Sequence, residues 1–347
     1  MSMLNISTIK EILTNKRLRQ DVKSLKAAKK CYIIYAWELI EDFQLNSFMH
    51  QPKTLKEIIN FSKIKDEKFI ETILDLLVGS KNLKFENNKY SLLKKPNYSI
   101  QTELKHLEEH CPGSTEWTHW LRKKSKETLI TGKKIHSSSF DEAKGILLWE
   151  KLMKESPYSL RQISIHQIAN KLKNNNEIID IGCGGGIGLE EILLTSNEPF
   201  NLWGLEVSKN YIDKAKKRIK KIESELSEQK LKNTKNTKFI IKDLTKGPLN
   251  KKFDAIFISL VVNHISKADQ QKFFKNLKKM MTVNSTLVTF QFLNNSKFER
   301  SPMWVMHNIP SHKEFPYKEE YIQMLKQIFP IVKTKFGGTI ITCKLKK

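Results

Sequence analysis

The chain of 347 residues contains only four cysteines, and no two of them are close enough to form a Cys-x-x-Cys pair. Cys31, Cys111, Cys183 and Cys343 therefore predict neither a zinc site nor a disulfide framework, and they favour a reducing, cytoplasmic location. No apolar run approaches the ~20 residues that a membrane-spanning helix needs. The N-terminal segment has no continuous apolar core, so we expect no secretory signal and no membrane partner.

Arginine is scarce although the chain is strongly basic. The formal net charge is +24, yet only six of the 61 basic residues are arginine, the residue that favours bidentate contacts with phosphate and guanine. The lysines are spread over both halves of the sequence. Their densest runs, 214–221 and 275–281, have the pattern of solvated helix faces. Nucleic acid stays an alternative partner because the net charge is so positive. The even spread of the lysines nevertheless indicates compositional drift more than a binding surface.

The first hundred residues have the pattern of helices followed by a hairpin. Helical spacing of apolar residues predicts helices over 31–43, 54–63 and 66–80. Residues 82–93 then alternate apolar and polar around Glu86-Asn87-Asn88, which indicates a two-stranded hairpin. This outline is typical of a winged-helix module. Acidic side chains would repel a DNA backbone from the third helix, so we interpret the module as a packing and dimerisation element; they are Asp66, Glu67, Glu71 and Asp75.

From residue 177 onward, strand-like runs alternate with helical patterns. The apolar runs lie at 177–181, 201–207, 237–242, 253–260, 285–293, 330–336 and 339–345. Such alternation predicts a mostly parallel sheet covered by helices on both faces. The connection at 336–338 is too short for a crossover between parallel strands, so the last two strands must be antiparallel. The expected fold class is α/β, with a doubly wound, seven-stranded sheet preceded by an α-rich domain.

Five of the seven residues at 182–188 are glycine, directly after the first of these strands. Glycine permits positive φ and removes the Cβ that would collide with a ligand. Asp180 stands just before the loop. Glu206 ends the second strand, where a carboxylate can accept hydrogen bonds from both hydroxyls of a ribose. Asp243 follows the third strand and is placed to accept from an adenine amino group.

The spacing of the glycines bears on the choice of cofactor. Dinucleotide sites use Gly-x-Gly-x-x-Gly, whereas this loop has glycine at alternate positions from 182 to 188. An acidic side chain at the loop suits a zwitterionic ligand better than a pyrophosphate. The pattern therefore favours a nucleoside that carries an amino acid over a nicotinamide dinucleotide.

With these motifs, residues 177–345 resemble a class I S-adenosylmethionine-dependent methyltransferase with a Rossmann-like fold. Motif I lies at 180–186, followed by the ribose acid Glu206 and the adenine acid Asp243. The chain as a whole resembles the two-domain O-methyltransferases. The resemblance implies a winged-helix dimerisation domain at 1–100, a helical linker contributing to the substrate pocket at 101–170, and a catalytic domain at 171–347.

The resemblance also implies which residues hold S-adenosyl-L-methionine. The loop would close over the methionine portion, with Cys183 offering mainly its backbone. Val207 and Leu244 would flank the adenine, and Ser259 would lie near the sulfonium. The full implied set is Asp180, Gly182, Cys183, Gly184, Gly186, Glu206, Val207, Asp243, Leu244 and Ser259. We expect no metal ligands.

The general base is harder to assign. The resembling O-methyltransferases carry a histidine after the fourth strand, in a pattern like Leu-His-Asp-Trp-Ser. Here residues 262–266 read Val-Asn-His-Ile-Ser, so Asn263 falls on the base position unless a one-residue gap restores His264. The segment 297–315 is expected to overhang the active site, and its His307 is the second candidate for catalysis.

The sequence thus predicts a cytoplasmic, homodimeric enzyme that methylates a small aromatic or apolar molecule. Oxygen is the favoured acceptor atom. Because no residue matches the family's general base clearly, a carbon acceptor also stays possible as an alternative. Two alternatives stay open as well: an RNA or protein methyltransferase that uses the basic surface, and a catalytically inactive, cofactor-binding dimeric regulator.

Overall fold

The computed structural model describes residues 16–134, 143–155, 158–169, 175–196, 198–226, 228–300, 304–309 and 311–346. Residues 1–15 of the predicted dimerisation domain and 135–142 of the predicted linker lie outside the described residues. The chain divides into two compact units. The sheet unit contains Ser159–Leu293 and Pro316–Lys347, and the helical unit contains Asn15–Tyr158 and Asn294–Phe315.

The helical unit is built from a long helix, several shorter helices and a small sheet. Its helices are α1 (Lys16–Asp42), α2 (Leu45–Phe48), α3 (Leu55–Ser62), α4 (Glu67–Gly79), α5 (Ile100–His110), α6 (Pro112–Thr131) and α7 (Ala143–Glu155). Its strands are β1 (Lys53–Thr54), β2 (Leu83–Glu86) and β3 (Lys89–Leu92), which pair antiparallel in the order β1-β3-β2.

Local sequence accounts for the starts of α3 and α4 and for the hairpin. Thr54 accepts from the backbone of Glu57, whose carboxylate accepts in return from Thr54 N, so α3 begins with a capping box. Asp66 caps α4 through Phe69 N. Asn87 and Asn88 have φ of 49° and 59°, which suits the two-residue turn of a hairpin. The predicted helices and hairpin are confirmed here.

The acidic face predicted for α4 is partly wrong. Asp75 is fully buried, where it accepts from Tyr90 Oη at 3.0 Å and from Arg300 Nη2 at 3.1 Å. Burial raises the pKa of this carboxyl group, and the charges of Lys297 and Arg300 oppose that rise. Glu71 also pairs with Lys297, at 3.0 Å. These side chains are neutralised inside the unit, so they add little to its surface charge.

Residues 294–315 belong to the helical unit although they follow the sheet strands in sequence. Trp304 Nε1 donates to Tyr32 O at 3.0 Å, and Asn308 Nδ2 donates to Ser125 Oγ at 2.8 Å. Trp304 is 3% exposed. Side chains of the segment predicted to overhang the active site are therefore packed within the helical unit.

The sheet unit contains all seven predicted strands. They are β4 (Asn176–Ile181), β5 (Phe200–Glu206), β6 (Lys238–Ile241), β7 (Phe253–Ser259), β8 (Met281–Phe290), β9 (Ile331–Lys335) and β10 (Ile340–Lys344). Their order is β6-β5-β4-β7-β8-β10-β9. The first five are parallel, and β10 pairs antiparallel with both β8 and β9. The predicted α/β class and antiparallel final hairpin are confirmed.

The helices of the sheet unit alternate with its strands. They are α8 (Tyr158–Ala169), α9 (Ile187–Thr195), α10 (Lys209–Ile222), α11 (Glu228–Lys235), α12 (Lys267–Lys279) and α13 (Lys318–Ile328). Central strand residues such as Ile179, Ile256 and Leu287 are fully buried. The chain order reverses at β4, which lies between β5 and β7, and ligands of open α/β sheets bind beyond the strand ends at such a switch point.

Within the described part of the chain, no helix combines the length and apolarity needed to cross a membrane. The four cysteines are buried and free.

Candidate cofactor site

The glycine loop joins β4 to α9 through three residues in the left-handed region. Gly182, Gly184 and Gly186 have φ of 66°, 51° and 85°. A Cβ at Gly182 would collide with Val261, and one at Gly186 would lie 3.0 Å from Ala215. A Cβ at Gly184 meets no atom of the described residues within 4 Å. Packing therefore explains two of these glycines, and Gly184 is the one whose missing side chain leaves open space beside the loop.

The acid at the end of β5 reaches this loop. Glu206 Oε2 accepts from Gly184 N at 3.1 Å, while its Oε1 accepts from Val207 N at 2.8 Å and from Ser208 N at 3.2 Å. The parallel pairing of β4 with β5 puts the two strand ends side by side. Two of the residues predicted to bind the cofactor are thus brought together.

Asp243 lies in the turn after β6. Its Oδ1 accepts from Thr245 Oγ1 at 2.6 Å and from Thr245 N at 2.9 Å, and the side-chain hydrogen bond is the main cause that lowers the pKa of Asp243. The group is therefore ionised at neutral pH, and an ionised carboxylate only accepts hydrogen bonds, which suits an amino group as its partner.

The two apolar walls predicted for the adenine differ in exposure. Val207 is 63% exposed, whereas the Leu244 side chain lies in the core at 3% exposed. Ile241, the last residue of β6, is 55% exposed and was not among the predicted site residues. The sequence signal that could have indicated Ile241 is its position at the carboxyl end of β6, two residues before Asp243.

Asp180 is buried beneath the loop with other charged groups. It is 2% exposed, and burial raises its pKa to about 8, with Arg161 lowering that pKa and Glu191 and Glu206 raising it further. Arg161 pairs with Glu191 at 3.1 Å. A Cβ at Gly188 would collide with the Asp180 carboxylate, so the fourth glycine of the motif makes room for the acid.

Cys183 contributes its backbone to the loop. Its N donates to Leu205 O at 3.0 Å, next to the bond from Gly182 N to the same oxygen at 2.7 Å. Burial is the largest cause that raises the pKa of this thiol, and Asp180 and Glu206 raise it further. The thiol therefore stays protonated and is a poor nucleophile.

The end of β7 carries two unusual features. Ser259 Oγ is buried and has no hydrogen-bond partner among the described residues. The next residue, Leu260, has φ of 56°, a conformation that costs a non-glycine residue on the order of 1–3 kcal/mol. Because β7 pairs with β4 through Ile181 and Ile258, both features lie at the switch-point edge of the sheet. An orphaned hydroxyl and a strained backbone at one strand end are typical of a ligand site.

Asn263, which takes the family's base position when the segment is aligned without a gap, is part of a buried amide pair. Gln291 Nε2 donates to Asn263 Oδ1 at 3.1 Å, and Gln291 Oε1 accepts from Val262 N at 3.2 Å. Both amides are 1% exposed. His264 ends the short 3-10 turn Val262–His264 and is only partly buried. Gln291 was not predicted; its signal is a polar residue directly after the mostly apolar, buried second half of β8.

His307, the second predicted catalytic residue, lies in the helical unit. Its Nε2 is 3.1 Å from Asp66 Oδ2, and its ring stacks on Phe69 with centroids 4.6 Å apart. Burial is the largest cause that lowers the pKa of His307, which Asp66 opposes. An imidazole held by a carboxylate in this way is suited to accept a proton.

The open space at Gly184, the Glu206 carboxylate and the orphaned Ser259 hydroxyl together fit a nucleoside that carries an amino acid. Residues 178–284 match a family model described as a methyltransferase domain. No curated protein matches the chain.

Solved structures share the fold over the whole chain. The CurJ carbon methyltransferase is similar with a TM-score of 0.70 at 11% identity, covering 98% of this chain and 96% of that chain. The CMeT domain of the citrinin polyketide synthase gives 0.69 at 14% identity, covering 100% and 99%. An O-methyltransferase family protein from Burkholderia thailandensis gives 0.51 at 12% identity, covering 99% of each chain. The chain contains a methyltransferase domain at residues 178–284, and it shares the fold of these solved methyltransferases over its whole length.

Proposed function

We propose that this enzyme transfers a methyl group to an acidic carbon atom of a small organic acceptor. The choice of carbon is supported by the buried amide pair of Asn263 and Gln291. When Ser266 is aligned with the serine of the resembling O-methyltransferases, Asn263 takes the position of their base. A neutral amide takes up no proton at ordinary pH. The greater fold similarity to carbon methyltransferases than to an O-methyltransferase family protein supports the same choice.

The cofactor would be held by residues at the carboxyl edge of the sheet. Glu206 would accept hydrogen bonds from the ribose hydroxyls, and Asp243 would accept one from the adenine amino group. Val207 would pack against the adenine ring. The loop at Gly184 would approach the methionine portion, and Ser259 would hydrogen-bond near it. When bound, S-adenosylmethionine supplies a methyl group that is electrophilic because it is attached to a sulfonium.

The protein's remaining task is to position the acceptor, exclude water and remove a proton. A carbon between two carbonyl groups is already acidic, so it places a smaller demand on the base than an alkyl hydroxyl does. His264 is the candidate base in the sheet unit, where it follows the Asn263 amide directly. His307, held by Asp66, is the candidate from the helical unit.

The decisive experiment offers the enzyme methyl-labelled cofactor with two panels of small acceptors, 1,3-dicarbonyl compounds and phenols. We expect label on the carbon between the carbonyls, located by NMR of the product. Methylation of phenol oxygens alone would overturn the choice of carbon and return the reaction to oxygen. The Gly184→Val variant serves as the control that lacks cofactor binding, and label in its products would mark a contaminating activity.

We further propose that the helical unit contains a winged-helix module through which two copies pair, in the cytoplasm. The order of α3, α4 and the β2–β3 hairpin supports the module, and exposed apolar side chains support a pairing surface. These side chains are Phe61, Leu93 and Tyr98. Sedimentation equilibrium of the full chain tests the pairing, since a monomer at micromolar concentration would refute it.

A further inference from the structure

The helical unit has a cleft whose lining carries mostly positive charge. The space that the centre of a water molecule can reach is about 30 Å³, and all the empty space up to and including the open solvent at its mouth is about 370 Å³. The charged and titratable residues that line it are Lys68, Arg300, His307, His312, Lys313 and Glu314. Three of these six are lysine or arginine and one is acidic, and burial lowers the pKa of His307, which favours its neutral form. A concave site with a single sign of charge concentrates ions of the opposite sign.

Two of the charged residues that line the cleft, Arg300 and Glu314, already form ion pairs within the protein. Arg300 Nη1 pairs with Glu314 at 3.0 Å, and Arg300 Nη2 pairs with Asp75 at 3.1 Å. Among the described residues, neither Lys68 nor Lys313 makes an ion pair. Both side chains are exposed, so each can turn its ammonium group toward a ligand without breaking a bond in the protein.

A third lysine, Lys134, adds to the positive electrostatic potential near the cleft. Lys134 is half-buried, and its pKa is lowered first by burial and then by the charges of Lys313 and Lys68, while Asp66 opposes the shift. The Lys134 ammonium group is therefore close enough to be repelled by those of Lys68 and Lys313. An anion among them would relieve that repulsion.

Two aromatic residues that line the cleft are buried. Trp304 and Phe315 are 3% and 6% exposed. His312 contacts Phe315 edge-on, with ring centroids 4.8 Å apart, and Asn294 Nδ2 donates to Phe315 O at 2.9 Å. His307 is fixed by its contact with Asp66. Rigid aromatic rings beneath mobile cations suit a ligand with an organic body and an anionic end.

We propose that this cleft binds the carboxylate or phosphate group of an organic ligand. The site is formed entirely by the helical unit, so the proposal does not depend on the acceptor chosen for methyl transfer.

The test uses the full chain at low ionic strength, in a buffer free of phosphate and carboxylates, with inorganic phosphate and benzoate as probes. A ligand that binds the folded state raises the unfolding temperature by mass action, so the midpoint as a function of probe concentration gives a dissociation constant. Binding should weaken as salt is added, because the attraction is screened.

The variants distinguish a site from general charge. The double variant Lys68→Gln/Lys313→Gln should weaken probe binding about tenfold or more, because two ammonium groups act on the same anion. Lys56→Gln removes one charge from an exposed lysine of α3 that does not line the cleft, and it should leave binding unchanged. Gly184→Val should also bind the probes normally, which separates this result from failure of the proposed methyl transfer.

Preference for phosphate or for benzoate identifies which anionic group the site takes, and either supports the proposal. It is overturned if neither probe raises the midpoint up to about 10 mM, the weak end of specific binding. It is equally overturned if Lys56→Gln weakens binding as much as the double variant does, since the effect would then be the overall charge of the protein.

Discussion

Replacing Gly184 with valine tests whether the glycine loop is a binding site or only a tight turn. Gly184 has φ of 51°, and a Cβ there meets no atom of the described residues within 4 Å. The Cβ of the new side chain would therefore meet no atom of the described protein. It would occupy the open space beside the loop, next to the N–H that donates to Glu206.

Gly184→Val should affect folding stability and cofactor binding by different amounts. A branched side chain at positive φ costs on the order of 1–3 kcal/mol of folding free energy. A methyl-bearing side chain in the ligand's place should abolish binding, a loss of more than about 100-fold, or about 2.7 kcal/mol. Stability should thus fall modestly while cofactor binding disappears.

Calorimetric titration with S-adenosylhomocysteine measures binding, and thermal unfolding measures stability. Gly132→Val is the matched control, because Gly132 also has positive φ, at 71°, but caps α6 in the helical unit. It should lose stability on a similar scale and bind the nucleoside normally. If Gly184→Val binds within about threefold of the wild type, less than 1 kcal/mol, the loop is only a turn and the site assigned to it is wrong.

Three further outcomes follow from the site. Glu206→Gln should weaken S-adenosylhomocysteine binding about tenfold or more in the same titration, because hydrogen bonds to a charged acceptor are roughly twice as strong as neutral ones; unchanged affinity would remove Glu206 from the site. His264→Ala and His307→Ala should differ in kcat by about 10²–10⁴-fold if one of them is the base, and equal, small losses would exclude both. The pKa of Asp180 in the folded, ligand-free protein is raised to about 8, so at neutral pH the folded protein holds a proton that the unfolded chain has lost. The contribution of Asp180 to stability is therefore full below its pKa in the unfolded chain, and it is lost as the pH rises through its pKa in the folded protein. Urea unfolding between pH 5 and pH 9 should therefore show wild-type stability falling relative to Asp180→Asn, by on the order of 5 kcal/mol at most, and parallel profiles would contradict the shifted pKa.

The sheet and the outline of the site were predictable because their signals are local. Strand periodicity and glycine spacing give the seven strands, and the spacing from the loop to Glu206 reflects the length of one helix plus one strand. The acid then reaches the loop because parallel neighbours end at the same edge. Thr54 and the Asn87-Asn88 turn are likewise local signals, and each is found where it was expected.

What could not be predicted depends on contacts between distant parts of the chain. The acidic pattern of α4 indicates a negative surface, but Asp75 is neutralised by Arg300, 225 residues away. Gly79 ends α4 as predicted, yet its φ is not in the left-handed region. A Cβ there would instead collide with Phe298 O, so close backbone approach explains the glycine. No local pattern indicates that residues 294–315 return to the helical unit.

If Glu206 holds the ribose as proposed, its side chain would need little rearrangement to bind. Its carboxylate is held by three backbone N–H groups, from Gly184, Val207 and Ser208. A carboxylate has about four acceptor positions, so at least one stays available for a ribose hydroxyl while the others keep the side chain in place. Since a flexible side chain immobilised on binding costs on the order of 0.5–1.5 kcal/mol, a carboxylate already fixed by the loop avoids most of that cost. The same bonds tie the conformation of Gly184 to the charge of Glu206, so a change at either residue should disturb the position of the other.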